Sequence, residues 1–108
     1  MMSITGLEAL KIWQYGFINQ KASELAEILT DDFIFVNSEL STRTKEQTLD
    51  WVSNSEIRLG DFEILYENNE VIIGLHSVAI PEQELSQAMF FARIKHGKLY
   101  YWRTHRKG

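Results

Sequence analysis

The sequence contains no cysteine, one proline and six glycines in 108 residues. Without cysteine there is no disulfide and no thiolate nucleophile, so any metal would need histidine or carboxylate ligands. The three histidines lack the close spacing of a His-x-x-x-His arrangement, and the scattered glycines form no phosphate-binding loop. We therefore expect no metal site and no cofactor.

Long apolar runs and a leader-like start are also missing. No stretch of about 18 apolar residues is present, and residues 1–6 lack the basic region and apolar stretch of a signal peptide. A soluble cytoplasmic protein is the default expectation. A hydrophobic content of 44% with 12% aromatic residues is enough for one compact core, which predicts a single domain over residues 1–108.

Acidic residues are absent from the last sixteen positions, although the net charge of the whole chain is −4. This segment carries six basic residues: Arg93, Lys95, Lys98, Arg103, Arg106 and Lys107. We interpret it as a solvated terminal strand whose charges offset the acidic body, because domains that bind nucleic acid are usually basic overall. Neither nucleic acid nor a membrane is expected as a partner.

Three helices are predicted from capping residues and helical spacing. Thr5 and Glu8 have the spacing of a capping box and precede an apolar stripe that contains Trp13, which predicts a helix over residues 6–20. Apolar residues at helical intervals predict a second helix over 22–29. Thr44 and Gln47 form another capping box, and with Trp51 they predict a third helix over 44–53.

A strand follows the second helix, over residues 31–37. Read with period two, Phe33, Phe35 and Asn37 share one face of this strand. A polar amide in line with two phenylalanines indicates either a buried hydrogen bond in the core or the polar end of a pocket.

The next strands are predicted as hairpins. A two-residue Asn68-Asn69 turn would place Tyr66 opposite Val71, Ile64 opposite Ile73 and Phe62 opposite Leu75 on one apolar surface. Phe90 and Ala92 of the following strand would then face Leu75 and Ile73. Asp61 and His76 fall on the opposite surface, so we interpret them as a surface or interface pair.

The last hairpin has two possible registers. A two-residue His96-Gly97 turn points Leu99, Tyr101, Arg103 and His105 inward, where Arg103 and His105 would bind anions at the cavity mouth. A three-residue loop over 95–97 with a bulge at Gly97 instead points Tyr100, Trp102 and Thr104 inward. We prefer the second, because burying Trp102 is favourable and desolvating Arg103 is costly.

Four motifs in a fixed order carry a resemblance to a known family. They are Trp13-x-x-Gly16-Phe17, Leu-Thr-Asp-Asp-Phe-Ile-Phe over 29–35, Thr-Lys-Glu-Gln-Thr-Leu-Asp-Trp over 44–51 and Gly-Lys-Leu-Tyr-Tyr-Trp-Arg over 97–103. Together they resemble the landmarks of the nuclear-transport-factor-2-like superfamily, which includes SnoaL-like polyketide cyclases and ketosteroid isomerases. The resemblance implies an α+β fold: a cone-shaped, curved, mostly antiparallel sheet around a long N-terminal helix, with three helices enclosing a cavity. It often implies a homodimer.

The isomerase chemistry of that family is not expected here. Ketosteroid isomerases use an aspartate base with a tyrosine and a protonated aspartate as donors. The resemblance puts Asn37 at the base position, Trp13 at the tyrosine position and Phe90 at the position of the buried acid. An amide cannot abstract a carbon-bound proton. We interpret the adjacent Asp31 and Asp32 as solvated residues, because neighbouring strand residues point to opposite faces.

The sequence therefore predicts a binding domain with an apolar cavity for a small, largely apolar molecule. The expected lining residues are Trp13, Phe35, Asn37, Trp51, Tyr66, Phe90 and Trp102. One alternative is a noncatalytic interaction domain whose cavity is filled by side chains. The other is an isomerase or dehydratase that uses a histidine, His76 or His105, facing the cavity within reach of a carboxylate.

The outer face of the sheet is expected to be apolar enough to require cover. Its predicted apolar residues are Leu65, Ile72, Val78, Met89 and Phe91. Contiguous apolar surface of this kind marks interaction sites. We expect a homodimer through this face.

Overall fold

The computed structural model describes residues 3–107, the side chain of Lys107 excepted, and confirms the α+β prediction. Met1, Met2 and Gly108, at the two ends of the predicted 1–108 domain, lie outside the described residues. The helices are α1 (Gly6–Asn19), α2 (Ser23–Ile28) and α3 (Lys45–Asn54). The strands are β1 (Leu29–Val36), β2 (Thr42–Thr44), β3 (Arg58–Glu67), β4 (Val71–Ala79), β5 (Ser86–Lys95) and β6 (Lys98–Lys107).

All six described strands form one curled, mixed sheet in the order β2-β1-β6-β5-β4-β3. The β1–β6 pair is parallel and the other neighbours are antiparallel. This order brings the first long strand beside the last one. The helices α1 and α3 therefore approach a sheet face made of residues that are far apart in the sequence.

The helix starts follow their capping boxes. The Thr5 hydroxyl accepts from the Glu8 N–H at 3.2 Å, and the Thr44 hydroxyl accepts from the Gln47 N–H at the same distance. In each box the side chain of Glu8 or Gln47 accepts a hydrogen bond from the backbone N–H of the capping threonine. These contacts satisfy N–H groups that have no partner within the helix, so both starts were predictable to within one residue.

The core lies between α1 and the sheet. Leu10, Trp13 and Phe17 are buried along one side of α1, as their spacing predicts. At the start of the helix, a Cβ on Gly6 would lie 2.7 Å from the Ile64 side chain and 2.9 Å from that of Ile72. Only glycine therefore lets this end of α1 approach β3 and β4 so closely.

The predicted register of the β3–β4 hairpin is wrong. Tyr66 pairs with Ile73 and Ile64 with Gly74, and the ladder is irregular between Ile64 and Tyr66 and again between Gly60 and Glu63. Phe62 and Ile64 do pack against the core, as predicted. In β4, however, it is the even-numbered residues that face the core. Residues 71–75 are apolar on both faces of the strand, so no alternation of polar and apolar residues indicates which of them point to the core.

Gly74 shows why β4 takes this phase. Gly74 lies opposite Phe90, where a Cβ would be 2.7 Å from an atom of the Phe90 ring. Phe90 and Ala92 are buried as predicted, but they face Gly74 and Ile72 rather than Leu75 and Ile73. The large ring takes the space of the missing side chain.

The outer face consequently differs from its prediction. Ile72 and Val78 belong to the buried face, with exposed fractions of 0% and 6%, while Leu65 and Met89 are about half exposed. Phe91 lies on the outer face as predicted and is half-buried. A second copy covering this smaller face stays a prediction, which the mass of the protein in solution would test.

The last hairpin combines parts of both predicted registers. Lys95 pairs with Lys98 across a two-residue turn in which His96 and Gly97 both have positive φ, 54° and 75°. The ladder then shifts between Ile94↔Leu99 and Arg93↔Tyr101, so that Tyr100 is the extra residue of a bulge. Trp102 is therefore buried, as predicted, and the predicted three-residue loop is wrong.

Candidate functional site

A cavity of about 230 Å³ lies between α1, α3 and the inner face of the sheet. Its wall includes five of the seven predicted lining residues: Trp13, Phe35, Asn37, Trp51 and Trp102. The wall also includes Glu39 and Arg106, which are exposed. The end of the cavity that these two residues line is therefore open to solvent.

Two predicted lining residues lie elsewhere. Phe90 is fully buried behind the wall, stacked on Trp102 with ring centroids 4.5 Å apart. Tyr66 is 56% exposed on the outer face, so its assignment to the pocket is wrong. The irregularity between Ile64 and Tyr66 reverses the direction of the side chains that follow it in β3, which the sequence pattern did not indicate.

The aromatic wall is continuous. Trp13 lies 5.2 Å from Trp102 and 6.0 Å from Phe35, and Trp51 lies 5.2 Å from Phe35, measured between ring centroids. Phe17 meets Trp51 edge to face at 5.2 Å. Rings at these distances hold one another in place, so the wall is a preformed apolar surface.

Asn37 has a structural role at the rim of this wall. Its side-chain oxygen accepts from the backbone N–H of Glu39 at 2.9 Å and of Ser41 at 3.1 Å, which closes the turn between β1 and β2. Asn37 was expected either to make a buried hydrogen bond in the core or to form the polar end of a pocket. Because the oxygen is already used by the turn, the N–H groups are the part of this amide that remains available for another hydrogen bond.

His76, expected on the outer surface, is 4% exposed and lines the cavity. The shifted phase of β4 turns it inward. Its Nδ1 lies 3.1 Å from the Ser77 carbonyl oxygen, and since a carbonyl only accepts, Nδ1 carries the proton. In the neutral ring Nε2 then keeps a free lone pair. No carboxylate of residues 3–107 lies within 4.0 Å of this imidazole.

The burial of His76 predicts a dependence of stability on pH. Burial lowers the pKa of His76 from its ordinary value of 6.5, and this exceeds the opposite effect of the Ser77 carbonyl. The folded protein then binds fewer protons than the unfolded chain. The contribution of the neutral His76 ring to stability is therefore complete above about pH 6.5 and is lost as the pH falls below that value.

We therefore expect the free energy of unfolding to decrease between about pH 7.5 and about pH 5, and the decrease to be smaller in His76→Gln. Chemical denaturation at a series of pH values measures this. His105→Gln, at an exposed histidine, is the control. An equal slope in wild type and His76→Gln would contradict the assignment.

Arg43 is a further residue of the cavity lining that no sequence pattern indicated. It pairs with Phe35 across the β1–β2 ladder, so both side chains lie on the cavity side of the sheet. The central carbon of its guanidinium lies 4.2 Å from the centre of the Trp51 ring and 5.6 Å from that of Phe35. The three-residue strand that places it has no apolar alternation, so nothing in the sequence pattern marked it.

The indole N–H of Trp13 adds a polar feature to this wall residue. Within the described part of the chain, it is one of two buried side-chain polar atoms without a hydrogen-bond partner, the other being the Ser3 hydroxyl. A buried donor without an acceptor costs about 1–3 kcal/mol. An acceptor beside Trp13 would remove that cost.

The remaining polar candidates lie outside the cavity. Asp32 pairs with Lys95 at 2.6 Å and Asp31 with Lys45 at 3.7 Å, and both aspartates are exposed. Hydrogen bonds first from Lys95 and then from Thr30 lower the pKa of Asp32. Arg103 and His105 are exposed on the outer side of β6. No group of three potential metal ligands occurs within residues 3–107.

An α+β fold with a curled mixed sheet facing helices across an aromatic cavity defines the class of this protein. No protein-family model and no curated protein sequence matches the chain. Solved structures do. An NTF2-like protein of unknown function from Cytophaga hutchinsonii aligns with a TM-score of 0.80 at 9% identity, over 98% of this chain and 93% of that one.

Two further structures extend the likeness. A protein from Sphaerobacter thermophilus aligns with a TM-score of 0.81 at 6% identity, over 98% of this chain and 99% of the other. A hypothetical Catenulispora acidiphila protein with a ketosteroid isomerase-like fold, in complex with trimethylamine, aligns at 0.71 and 14% identity, over 94% of this chain and 86% of that one. The chain therefore has the NTF2-like fold, as its motifs predicted.

None of the helices within residues 3–107 combines the length and the apolar character that a bilayer crossing requires.

Proposed function

We propose that this protein binds a small, largely apolar molecule in the cavity between α1, α3 and the sheet. The observation that carries the proposal is the continuous wall of Trp13, Phe35, Trp51 and Trp102 around about 230 Å³ of space. Apolar cavities of roughly 150 Å³ already accept a benzene-sized molecule, so this one fits a bicyclic ring or a short branched chain.

The polar groups on the wall suit orientation of the ligand. The N–H groups of Asn37 are donors at the rim of the wall, so they favour a ligand with an acceptor oxygen. A few convergent polar groups on a mainly aromatic surface are typical of small-molecule sites.

Binding is favoured over the two alternatives. An interaction domain with a filled interior would leave no space of this size. A histidine-based isomerase or dehydratase would use His76 with a carboxylate partner, and among the described residues no carboxylate lies within 4.0 Å of that ring. The oxygen of Asn37 is an amide oxygen bound to a turn, which does not suit it to remove a proton from carbon.

The proposal is tested by filling the cavity. Ala88 is buried on the cavity wall, whereas its neighbour Gln87 is exposed on the outer face, so Ala88→Leu and Gln87→Leu add apolar groups on opposite sides of β5. All three tryptophans of the chain belong to the wall, so their fluorescence reports occupancy directly. Neutral probes of suitable size are 1-indanone and 2-naphthamide, neither of which contains the indole fluorophore.

We expect saturable fluorescence changes for wild type and Gln87→Leu, and binding weakened about tenfold or more in Ala88→Leu, because the leucine occupies ligand space. The melting temperature of each variant without ligand controls for folding. Equal affinity of Ala88→Leu and wild type, or no binding of either probe to wild type, would contradict the proposal.

A further inference from the structure

We infer that the ligand is an apolar carboxylate, whose acid group is held by Arg43 at the open end of the cavity. This inference rests on the proposed binding function and specifies its ligand class. Arg43 is the cross-strand partner of Phe35, on the strand that borders the cavity mouth. A molecule lying against the aromatic wall would therefore end beside this guanidinium.

The position of the Arg43 guanidinium leaves its hydrogen-bond donors available. The group lies over the Trp51 ring at 4.2 Å and near the Phe35 ring at 5.6 Å. A guanidinium stacked on a ring uses its flat face, while its N–H groups project from its edge in the plane. These donors form the fork that matches the two oxygens of a carboxylate.

No carboxylate of the described residues neutralises this charge. The ion pairs found within residues 3–107 are Lys45–Asp31 and Lys95–Asp32, and Arg43 takes part in neither. The side chain is half-buried, and this desolvation lowers the pKa of Arg43. A partly buried charge without a counter-ion is destabilising, and a bound anion would offset that cost.

The other charged groups at the opening permit an anion. Arg106 is the second basic residue of the lining and Glu39 its one acidic residue, and both are exposed to solvent. Burial holds His76 in its neutral form, because it lowers the pKa of that ring. The residues that line the opening therefore carry a net positive charge. A cationic ligand would be repelled by Arg43, which already occupies the face of the Trp51 ring that the cation would need.

A matched series of probes separates charge from apolar binding. The probes are 2-naphthoate, 2-naphthamide and 2-naphthylmethylammonium, which share one ring system and carry an anionic, a neutral and a cationic group. Their dissociation constants are measured at neutral pH by tryptophan fluorescence and by calorimetry. We expect wild type to bind the carboxylate about 10- to 100-fold more tightly than the amide, as for a hydrogen bond between charged groups, and the cation most weakly.

Variants at two arginines locate the effect. Arg43→Gln is expected to remove the preference, so that carboxylate and amide bind with affinities within about twofold of each other, because the anion loses its guanidinium partner. Arg43→Lys keeps the charge without the fork and is expected to retain part of the preference. Arg103→Gln removes a positive charge from the exposed outer side of β6 and should change neither affinity.

The outcomes distinguish the inference from the function on which it rests. If the amide binds but the carboxylate is not preferred, or if the preference survives Arg43→Gln, the inference is wrong and the apolar site stands. Tightest binding of the ammonium probe would replace the inferred anion site with a cation site. If no probe binds wild type, the proposed function fails and the inference fails with it.

Discussion

Replacing Trp102 with alanine is expected to lower the free energy of unfolding by about 3–5 kcal/mol, the usual cost of removing a buried tryptophan. Trp102 is 3% exposed, lies 4.5 Å from the parallel ring of Phe90 and is 5.2 Å from Trp13. The space left by the Trp102 side chain joins the existing cavity. The rings of Phe90 and Trp13 therefore lose a packing partner and cannot close the gap between them. Chemical denaturation measures the difference.

Tyr101 provides the matched control for Trp102. It is the next residue of β6, half-buried on the outer face, where its ring meets Phe91 edge to face at 6.1 Å. Tyr101→Ala is expected to cost about 1 kcal/mol. A larger loss of stability for Tyr101→Ala than for Trp102→Ala would mean that the bulge at Tyr100 is absent. Tyr101 rather than Trp102 would then point into the core.

Adding one methyl group at Gly74 is expected to lower the free energy of unfolding by about 2–3 kcal/mol, because it overpacks the buried face of the sheet. The new Cβ would lie 2.7 Å from the Glu63 carbonyl oxygen and 2.7 Å from the Phe90 ring. The carbonyl belongs to a neighbouring strand and Phe90 is held against Trp102. Neither can move away without disturbing the cavity wall, so Gly74→Ala should also weaken ligand binding.

Gly60→Ala is the control for this overpacking. A Cβ at Gly60 meets the Ser77 hydroxyl at 3.2 Å, the end of a side chain that can rotate. We expect a change of less than about 1 kcal/mol, since a strand glycine replaced by alanine without a clash loses little. If Gly74→Ala is tolerated as well as Gly60→Ala in denaturation experiments, Gly74 does not face the Phe90 ring and the even-numbered residues of β4 do not point to the core.

The helices were predictable because their signals are local. Thr5 with Glu8 and Thr44 with Gln47 sit within one turn of the backbone N–H groups that they satisfy, so their effect does not depend on the rest of the fold. The apolar side of α1 likewise follows from spacing alone. Of the cavity wall, Trp13 and Trp51 follow from the predicted helices, whereas Phe35 follows from the period-two pattern of β1 and Trp102 from the cost of desolvating Arg103 in the alternative register.

The strand registers were not predictable for an equally physical reason. β4 is apolar on both faces, and its phase is fixed by Gly74 receiving the Phe90 ring, a contact between residues on different strands. The bulges in β3 and β6 reverse the side chains that follow them without any distinct sequence pattern. The error in β4 placed His76 outside the cavity, and the one in β3 placed Tyr66 inside.

Arg43 was missed because its role depends on pairing rather than on pattern. β2 is three residues long and polar, and only its ladder with β1 sets Arg43 beside Phe35 and over Trp51. Asn37 was predicted as a site residue because it is a polar residue in an apolar series. Its side-chain oxygen holds the turn between β1 and β2, which leaves only its N–H groups available. Both residues line the cavity.

The most direct test of the proposed binding site is a titration with 2-naphthamide followed in two-dimensional proton–nitrogen NMR spectra. The three indole N–H signals, from Trp13, Trp51 and Trp102, all report on the cavity wall. We expect all three to shift on binding, while the backbone amides of outer-face residues such as Leu75, Met89 and Tyr101 stay in place. Shifts confined to those outer-face amides, with unmoved indole signals, would contradict the cavity as the site of binding.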